Sequence, residues 1–424
     1  MKKTPIIIAG IVVVGAAYLG GLYVSGSKAL SSLHQVVDRT NASQSKMHLD
    51  LQDEQRGLFS SSVKVVAVNT EKKVLVDAPL SLHHHLLSTD IDSHVAVSVD
   101  GKNVVSLEGA PDERLLLQAH VKHNQDGRGS SVRISAQGKL LLDSDVPDNK
   151  WIEQPDLNIS RADDGRLTFS LRERSSQTVA DDLQFTDSDS FSSVSYDGAW
   201  VDQAIPVIAD NIKNDTKENR DRLVTLLFSQ LPDTHVEYKQ WNLKSDSVDV
   251  TLNDLKFDWV REYGATPSSH LAMSVQDANV MNKHYKGAVS LKADQRLIDT
   301  LMEAVQTFGI SAHREGKEAL ENKVVELVHS TPRLTLENLN VSGEDLKPVS
   351  AEGYLTINSN NVKTMAEFEK MAPRLLLGQL SIHGFPEQLV GLAAMMGMDD
   401  LKVGDDVKID TADGHLTVNG KSLF

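Results

Sequence analysis

Between about residues 47 and 200 the chain alternates apolar and polar positions in short runs. "SHVAVSVDGKNVVSLEG", "SVRISAQGKLLLDS" and "GRLTFSLRERS" each repeat with a period of two. That period turns one face of an antiparallel strand to a core and the other to water. Asp-Gly dipeptides at 100–101, 126–127, 164–165 and 197–198 interrupt the runs. Each predicts a hairpin turn, because these residues accept the positive φ angles a two-residue loop needs. The Ser- and Asp-rich stretch from 175 to 195 reads as a loop or a polar edge strand.

The helical period replaces this pattern elsewhere. Leu30, Leu33, Val36 and Val37 predict a short helix over 29–45. Residues 201–230 read as helix, broken around 213–217, and 294–329 as a longer helical stretch with Leu297, Leu301, Ala304, Val305 and Phe308 in step. "TMAEFEKMAPRLL" and "PEQLVGLAAMMGM" predict two more helices. Strands lie between them, among them "DVKIDTADGHLTVNGKSLF", a closing hairpin across Asp413-Gly414. The expected class is α+β and β-rich: an N-terminal transmembrane helix, then long antiparallel sheets with helices packed on them, mainly in the second half.

The transmembrane expectation comes from the first residues. Lys2 and Lys3 precede Pro5 to Val24, which is uncharged throughout. At about 1.5 Å per residue such a stretch spans roughly 30 Å, the thickness of a bilayer core. A cleavable signal peptide has a shorter apolar core, although small residues at Gly26 and Ala29 offer a cleavage site as the alternative. Positive charge before the span predicts a single-pass inner-membrane protein with its body in the periplasm. Ala16/Gly20 and Ala17/Gly21, small residues four apart, are compatible with a homodimer. Three parts follow: an anchor over 1–26, a β-rich domain over 27–200 and a mixed α+β domain over 201–424.

Charge and composition narrow the partners. Against 43 Lys and Arg stand 59 Asp and Glu, a net charge of −16, which repels nucleic acid and anionic membrane surfaces. The absence of cysteine removes disulfides, thiolate metal sites and cysteine nucleophiles.

Four segments together carry a likeness: "GGLYVSGSKA" at the end of the apolar start, "RGLFSSSVKVVAV" at 56–68, "STPRLTLENLNVSGEDLKPVSAEGYLTI" at 330–357, and the terminal "VKIDTADGHLTVNGK". The chain resembles the YdgA/YihF-like family of bacterial inner-membrane-anchored envelope proteins of unknown function. That resemblance implies a periplasmic location and brings no catalytic residues.

"APLSLHHHLLS", residues 78–88, is the most suggestive chemistry. On a strand, His83 and His85 share one face, the spacing by which two imidazoles reach one Zn²⁺. A catalytic zinc needs a third protein ligand, for which Asp90, Asp92 and His94 are near in sequence. The plainer reading is a polar strand with His84 a satisfied, partly buried histidine. "HVKH" at 120–123 splits across two strand faces, and "GISAH" at 309–313 lacks the second glycine of a nucleophile elbow. Asp187 and Asp189 lack the glycine and distal glutamate of a calcium loop. "AAMMGMDD", with Leu389, Leu392, Met395 and Met396, reads as a helix packing on a sheet, with an adaptable apolar groove as the alternative.

The functional expectation is a non-enzymatic, membrane-anchored binding or scaffolding protein of the cell envelope, with no cofactor and no metal. Its partners would be the inner membrane and either envelope proteins or a lipid-like amphiphile. An apolar trough would be lined by Val95, Val97 and Val99 on one strand and Leu167, Phe169 and Leu171 on another; in a closed core the same residues would be buried. The rival is a metal-dependent hydrolase built on His83 and His85.

Overall fold

The computed structural model describes residues 33–34, 37–38, 41, 47–69, 74–99, 102–103, 105–106, 114–122, 128–141, 150–180, 182–213, 216, 218–219, 222, 226, 231–262, 267–310, 314–358, 362–395, 398 and 400–422. They form two compact units: one holds residues up to 223 together with 241–246, the other 224–240 and 247–424.

The first unit is built on strands. In chain order they are β1 (Met47–Gln55), β2 (Ser60–Asn69), β3 (Val74–His84), β4 (Ser88–Val99), β5 (Lys102–Asn103), β6 (Val105–Ser106), β7 (Leu115–Lys122), β8 (Ser130–Ser135), β9 (Lys139–Leu141), β10 (Lys150–Glu153), β11 (Asp156–Arg161), β12 (Leu167–Ala180) and β13 (Leu183–Tyr196). Antiparallel pairing runs β1–β2–β3–β4–β7–β8–β11–β12–β13. Strict alternation buries Val63, Val65 and Ala67 of β2, Val76, Ala78, Leu80 and Leu82 of β3, Val95 and Val97 of β4, and Leu117, Ala119 and Val121 of β7 in one core. Leu33 and Val37, at helical positions of the expected 29–45 helix, join that core.

Two of the expected turns behave differently. Asp164-Gly165 closes the β11–β12 hairpin, with Gly165 at φ +88°. Asp197-Gly198 closes no hairpin: it opens helix α1 (Gly198–Lys213), and the Asp197 carboxylate accepts from the backbone N–H of Ala199 at 2.9 Å and of Trp200 at 3.2 Å. An aspartate that meets free amides caps a helix as readily as it shapes a turn. The Asp-Gly pairs at 100–101 and 126–127 lie outside the described residues. The stretch from 175 to 195 is no loop, because β12 and β13 pair from Leu167↔Tyr196 to Ala180↔Leu183.

The chain continues through β14 (Asp233–Lys244), which has residues in both units. The second unit then adds β15 (Asp249–Glu262), β16 (Ser268–Val280), β17 (Lys283–Asp294), β18 (Arg333–Gly343), β19 (Val349–Ile357), β20 (Leu376–His383), β21 (Val407–Ala412), β22 (His415–Val418) and β23 (Lys421–Ser422). From β15 to β23 each strand pairs antiparallel with the next. Helices interrupt this meander without breaking it. α2 (Gln295–Ile310) and α3 (Arg314–His329) stand between β17 and β18, where a single long helical stretch was expected. α4 (Met365–Leu375) stands between β19 and β20, and α5 (Glu387–Met395) between β20 and β21. Thr364 caps α4, its hydroxyl accepting from Glu367 N–H at 3.2 Å, while the Glu367 carboxylate takes Lys363 N–H at 2.8 Å.

The β-rich antiparallel architecture with helices mainly in the second half stands. The transmembrane part of the expectation is corrected. Among the described residues no helix is long and apolar enough to cross a membrane. The anchor expected over 1–26, with its Ala16/Gly20 and Ala17/Gly21 pairs, lies outside the described residues. The membrane-anchored periplasmic placement, the inner membrane as partner and the homodimer through the anchor are withdrawn with it.

Candidate functional site

The nine-strand meander of the second unit has two chemically distinct faces, and the strand register shows how they arise. Trp259, Leu271, Leu291, Leu336, Gly353, Leu380, Ile409 and Val418 are successive cross-strand partners from β15 to β22. On the same face a second row runs Phe257, Met273, Val289, Leu339, Ala351, Ile382 and Val407. A bulge between Leu336 and Leu339 keeps both leucines on that face despite their odd spacing.

The opposite face is polar and internally paired. Lys239 meets Asp254 at 2.5 Å, Lys256 meets Glu237 at 2.8 Å, and His235, His270 and Lys292 each find a carboxylate. His270, Ser290 and Glu337 lie together there, which invites a hydrolytic triad. The geometry opposes it: His270 Nε2 takes both Ser290 Oγ at 2.8 Å and Glu337 Oε2 at 3.0 Å, and Ser290 itself donates to Glu337 at 2.7 Å. A triad needs the acid and the serine on opposite ring nitrogens.

Cover over the apolar face is partial. Toward β20–β22, α5 and the loops on either side of it place Val390, Ala393, Met398, Leu401 and Phe385 on Ile382, Val407, Ile409 and Val418. At the end of β19, Val328 of α3 and Phe368, Met371 and Leu375 of α4 gather around Ile357. Outside these covers Met273 is 45 % exposed, Leu355 41 % and Leu334 37 %. The apolar patch contains a hollow of about 290 Å³ walled by Leu291, Leu334, Leu336, Leu355, Leu380 and Ile409. Its floor exists because two cross-strand neighbours carry no side chain. A Cβ on Gly353 would stand 2.2 Å from the Gln379 carbonyl oxygen, and one on Gly378 2.8 Å from that of Tyr354. A larger hollow of about 670 Å³ crosses β16–β19 at the level of Val275, Gly287, Val341 and Val349.

The histidines and aspartates around 83–94 singled out by sequence lie in the first unit and form no such site. β3 ends at His84, so His85 stands beyond the strand and does not share its face with His83. His84 follows Leu80 and Leu82 on the inner face, with Nε2 at 2.9 Å from Ser61 Oγ: a satisfied, half-buried histidine. His85 Nε2 and His120 Nδ1 instead grip the two oxygens of Asp90, at 2.8 and 2.6 Å. Burial raises the Asp90 pKa, but the His120 and His85 hydrogen bonds prevail and hold it below the ordinary range. Asp92 takes Gln118 at 3.2 Å. Among the described residues no group of three or more His, Asp or Glu is placed to hold a metal ion. The hydrolase on His83 and His85 is therefore corrected.

Val95 and Val97 are core, whereas Phe169 is 37 % exposed and lies edge-on to Tyr196 at 6.4 Å. The proposed trough triplets thus line no common groove. Asp187 and Asp189 stand on β13, where Ser176 donates to Asp187. Ser311 and His313 of "GISAH" lie outside the described residues. Glu173 of β12 was missed: it is buried, accepts from Ser190 Oγ at 3.0 Å, and is pushed up to about 7 by burial and then by the Asp187 charge. Its charge in a serine-rich hairpin was the available signal. The open apolar face was also missed; the triplet Leu334, Leu336 and Leu339 around the bulge hides its period.

A family model described as bacterial protein of unknown function (DUF945) matches residues 1–123. No curated protein matches the chain. No solved structure matches it. What the chain shares with known sequences is therefore a likeness, over residues 1–123, to an uncharacterised bacterial family.

Proposed function

We propose that this is a non-enzymatic binding protein whose recognition surface is the open apolar face of the second unit. The observation that carries the reading is the hollow floored by Gly353 and Gly378 and ringed by leucines, of which Leu334 and Leu355 remain exposed. Its volume, about 290 Å³, lies at the lower limit for a small-molecule pocket and suits one or two large apolar side chains. Such sockets receive the anchor residues of a protein partner, which dominate binding when water is excluded around them. The wall is mostly apolar, with Tyr354, Gln379 and Thr411 as its polar residues, and fits an apolar anchor. The likeness over residues 1–123 is to an uncharacterised bacterial family and supplies no site residue.

The test is selection of a displayed random-peptide library on the full chain. Enriched peptides should carry a leucine or aromatic anchor, and Leu334→Asp with Leu355→Asp should weaken them at least tenfold while leaving the melting temperature within a few degrees. Both positions are partly exposed, so a charge there costs little in the free protein. Peptides without an anchor, or peptides indifferent to these substitutions, would overturn the reading.

A further inference from the structure

The first unit carries its own exposed apolar cluster, separate from the sheet face of the second. The β1–β2 turn presents Leu58, 83 % exposed, and Phe59, 75 % exposed; the β3–β4 turn presents Leu86, 93 % exposed, and Leu87, 74 % exposed. The two turns are neighbours because β2 pairs with β3, Ser60 opposite His83, and His84 N–H donates to the Phe59 carbonyl at 2.7 Å. A second bond, from His85 N–H to the Ser88 carbonyl at 2.8 Å, closes the β3–β4 turn. The tips are therefore held side by side, with strands spaced roughly 4.8 Å apart. Exposed single leucines are ordinary on protein surfaces; four large apolar side chains on two adjoining tips are not.

Charge is layered around them. Residues 57–62 and 86–89 carry no charge. Behind the tips stand Arg56 and the histidines at 83–85, and two of the nearby carboxylates are engaged: Glu54 by Arg56 and His34, Asp90 by His85 and His120. An uncharged apolar apex behind which sit basic and imidazole groups reproduces the layering of a lipid interface, where apolar side chains enter the acyl boundary and amphipathic ones remain among the headgroups. The tips are hairpin turns whose four apolar side chains are each at least 74 % exposed, so a protein partner would need a cleft shaped to them, whereas a fluid apolar phase needs none. The net charge of −16 directs the contact to zwitterionic rather than anionic headgroups.

We infer that the paired tips, through Leu58, Phe59, Leu86 and Leu87, dock the first unit on the surface of a zwitterionic lipid bilayer. The contact is peripheral and requires no helix to cross the membrane. Because the chain contains no cysteine, a single Leu86→Cys substitution carries a polarity-sensitive fluorophore to one tip alone. Gln184→Cys, at an exposed position of β13, provides the same label away from the tips. With phosphatidylcholine vesicles, the label at 86 should shift to the blue and be quenched by brominated lipid several-fold more than the label at 184. Adding Leu58→Ser and Phe59→Ser on the other tip should return the label at 86 to its aqueous emission. Aqueous emission at 86, or equal quenching at both positions, would overturn the inference. So would a blue shift that grows with protein concentration without vesicles, which would assign the tips to a second copy of the chain.

Discussion

Glu173 is the residue whose ionisation is most out of place. Its carboxyl is buried close to Asp187 in the β12–β13 hairpin, and the Ser190 hydroxyl donates to it at 3.0 Å. Burial first and the Asp187 charge second raise its pKa from 4.5 to about 7. The folded protein thus keeps a proton that the unfolded chain loses above pH 4.5. Its contribution to stability is greatest below that point, falls as pH rises from about 4.5 through 7, and levels off above, by on the order of 2–3 kcal/mol. Glu173→Gln should remove that fall and leave the variant more stable than wild type at pH 8. Urea midpoints at pH 5 and pH 8 read the difference directly, and an unchanged slope would show that Glu173 is ionised in the fold. At this scale the sequence was least legible. The run of three histidines drew attention, yet its chemistry is spent on Ser61 and Asp90. The buried glutamate is one acidic residue among serines, and only the register of the hairpin reveals what it faces.

At the scale of elements, the same dipeptide gave different outcomes because the following residues differ. Asp413-Gly414 has both residues at positive φ, +53° and +81°, the signature of a type I′ hairpin turn between β21 and β22. Asp197-Gly198 precedes "AWVDQAIPVIADNIK", whose helical period takes over, so the aspartate caps α1. Asp197→Ala should cost about 1 kcal/mol, the usual loss of an N-cap, while Asp197→Asn should cost little. Chemical denaturation of the two variants separates capping from charge; equal losses would deny the cap. Alternation made most strands readable, from β2 to β22, since one face is buried and slippage by one residue would expose it. Two features escaped it. The serines of β12 and β13 conceal a long ladder because neither face is strongly apolar. The break between α2 and α3 falls inside a continuous helical period.

At the scale of the molecule, two compact units each hold their own apolar cluster. Leu49, Val76, Leu117 and Val132 belong to the first; Val407, Val418 and Phe385, with the group around Val328, belong to the second. No buried cluster described mixes residues of the two units, so cooperativity should follow the units. Leu117 is almost fully buried on β7, and Leu117→Ala leaves a cavity that costs about 2–5 kcal/mol. That loss should appear in amide hydrogen exchange as faster exchange throughout β1–β13. Exchange from β15 to β22, which includes the proposed recognition face, should be unchanged. Peptide binding to the Leu334–Leu355 surface should then survive the substitution at temperatures where the first unit has begun to open. If protection falls equally in both units, the chain folds as one cooperative block, and the recognition face would depend on a core to which it contributes no residue.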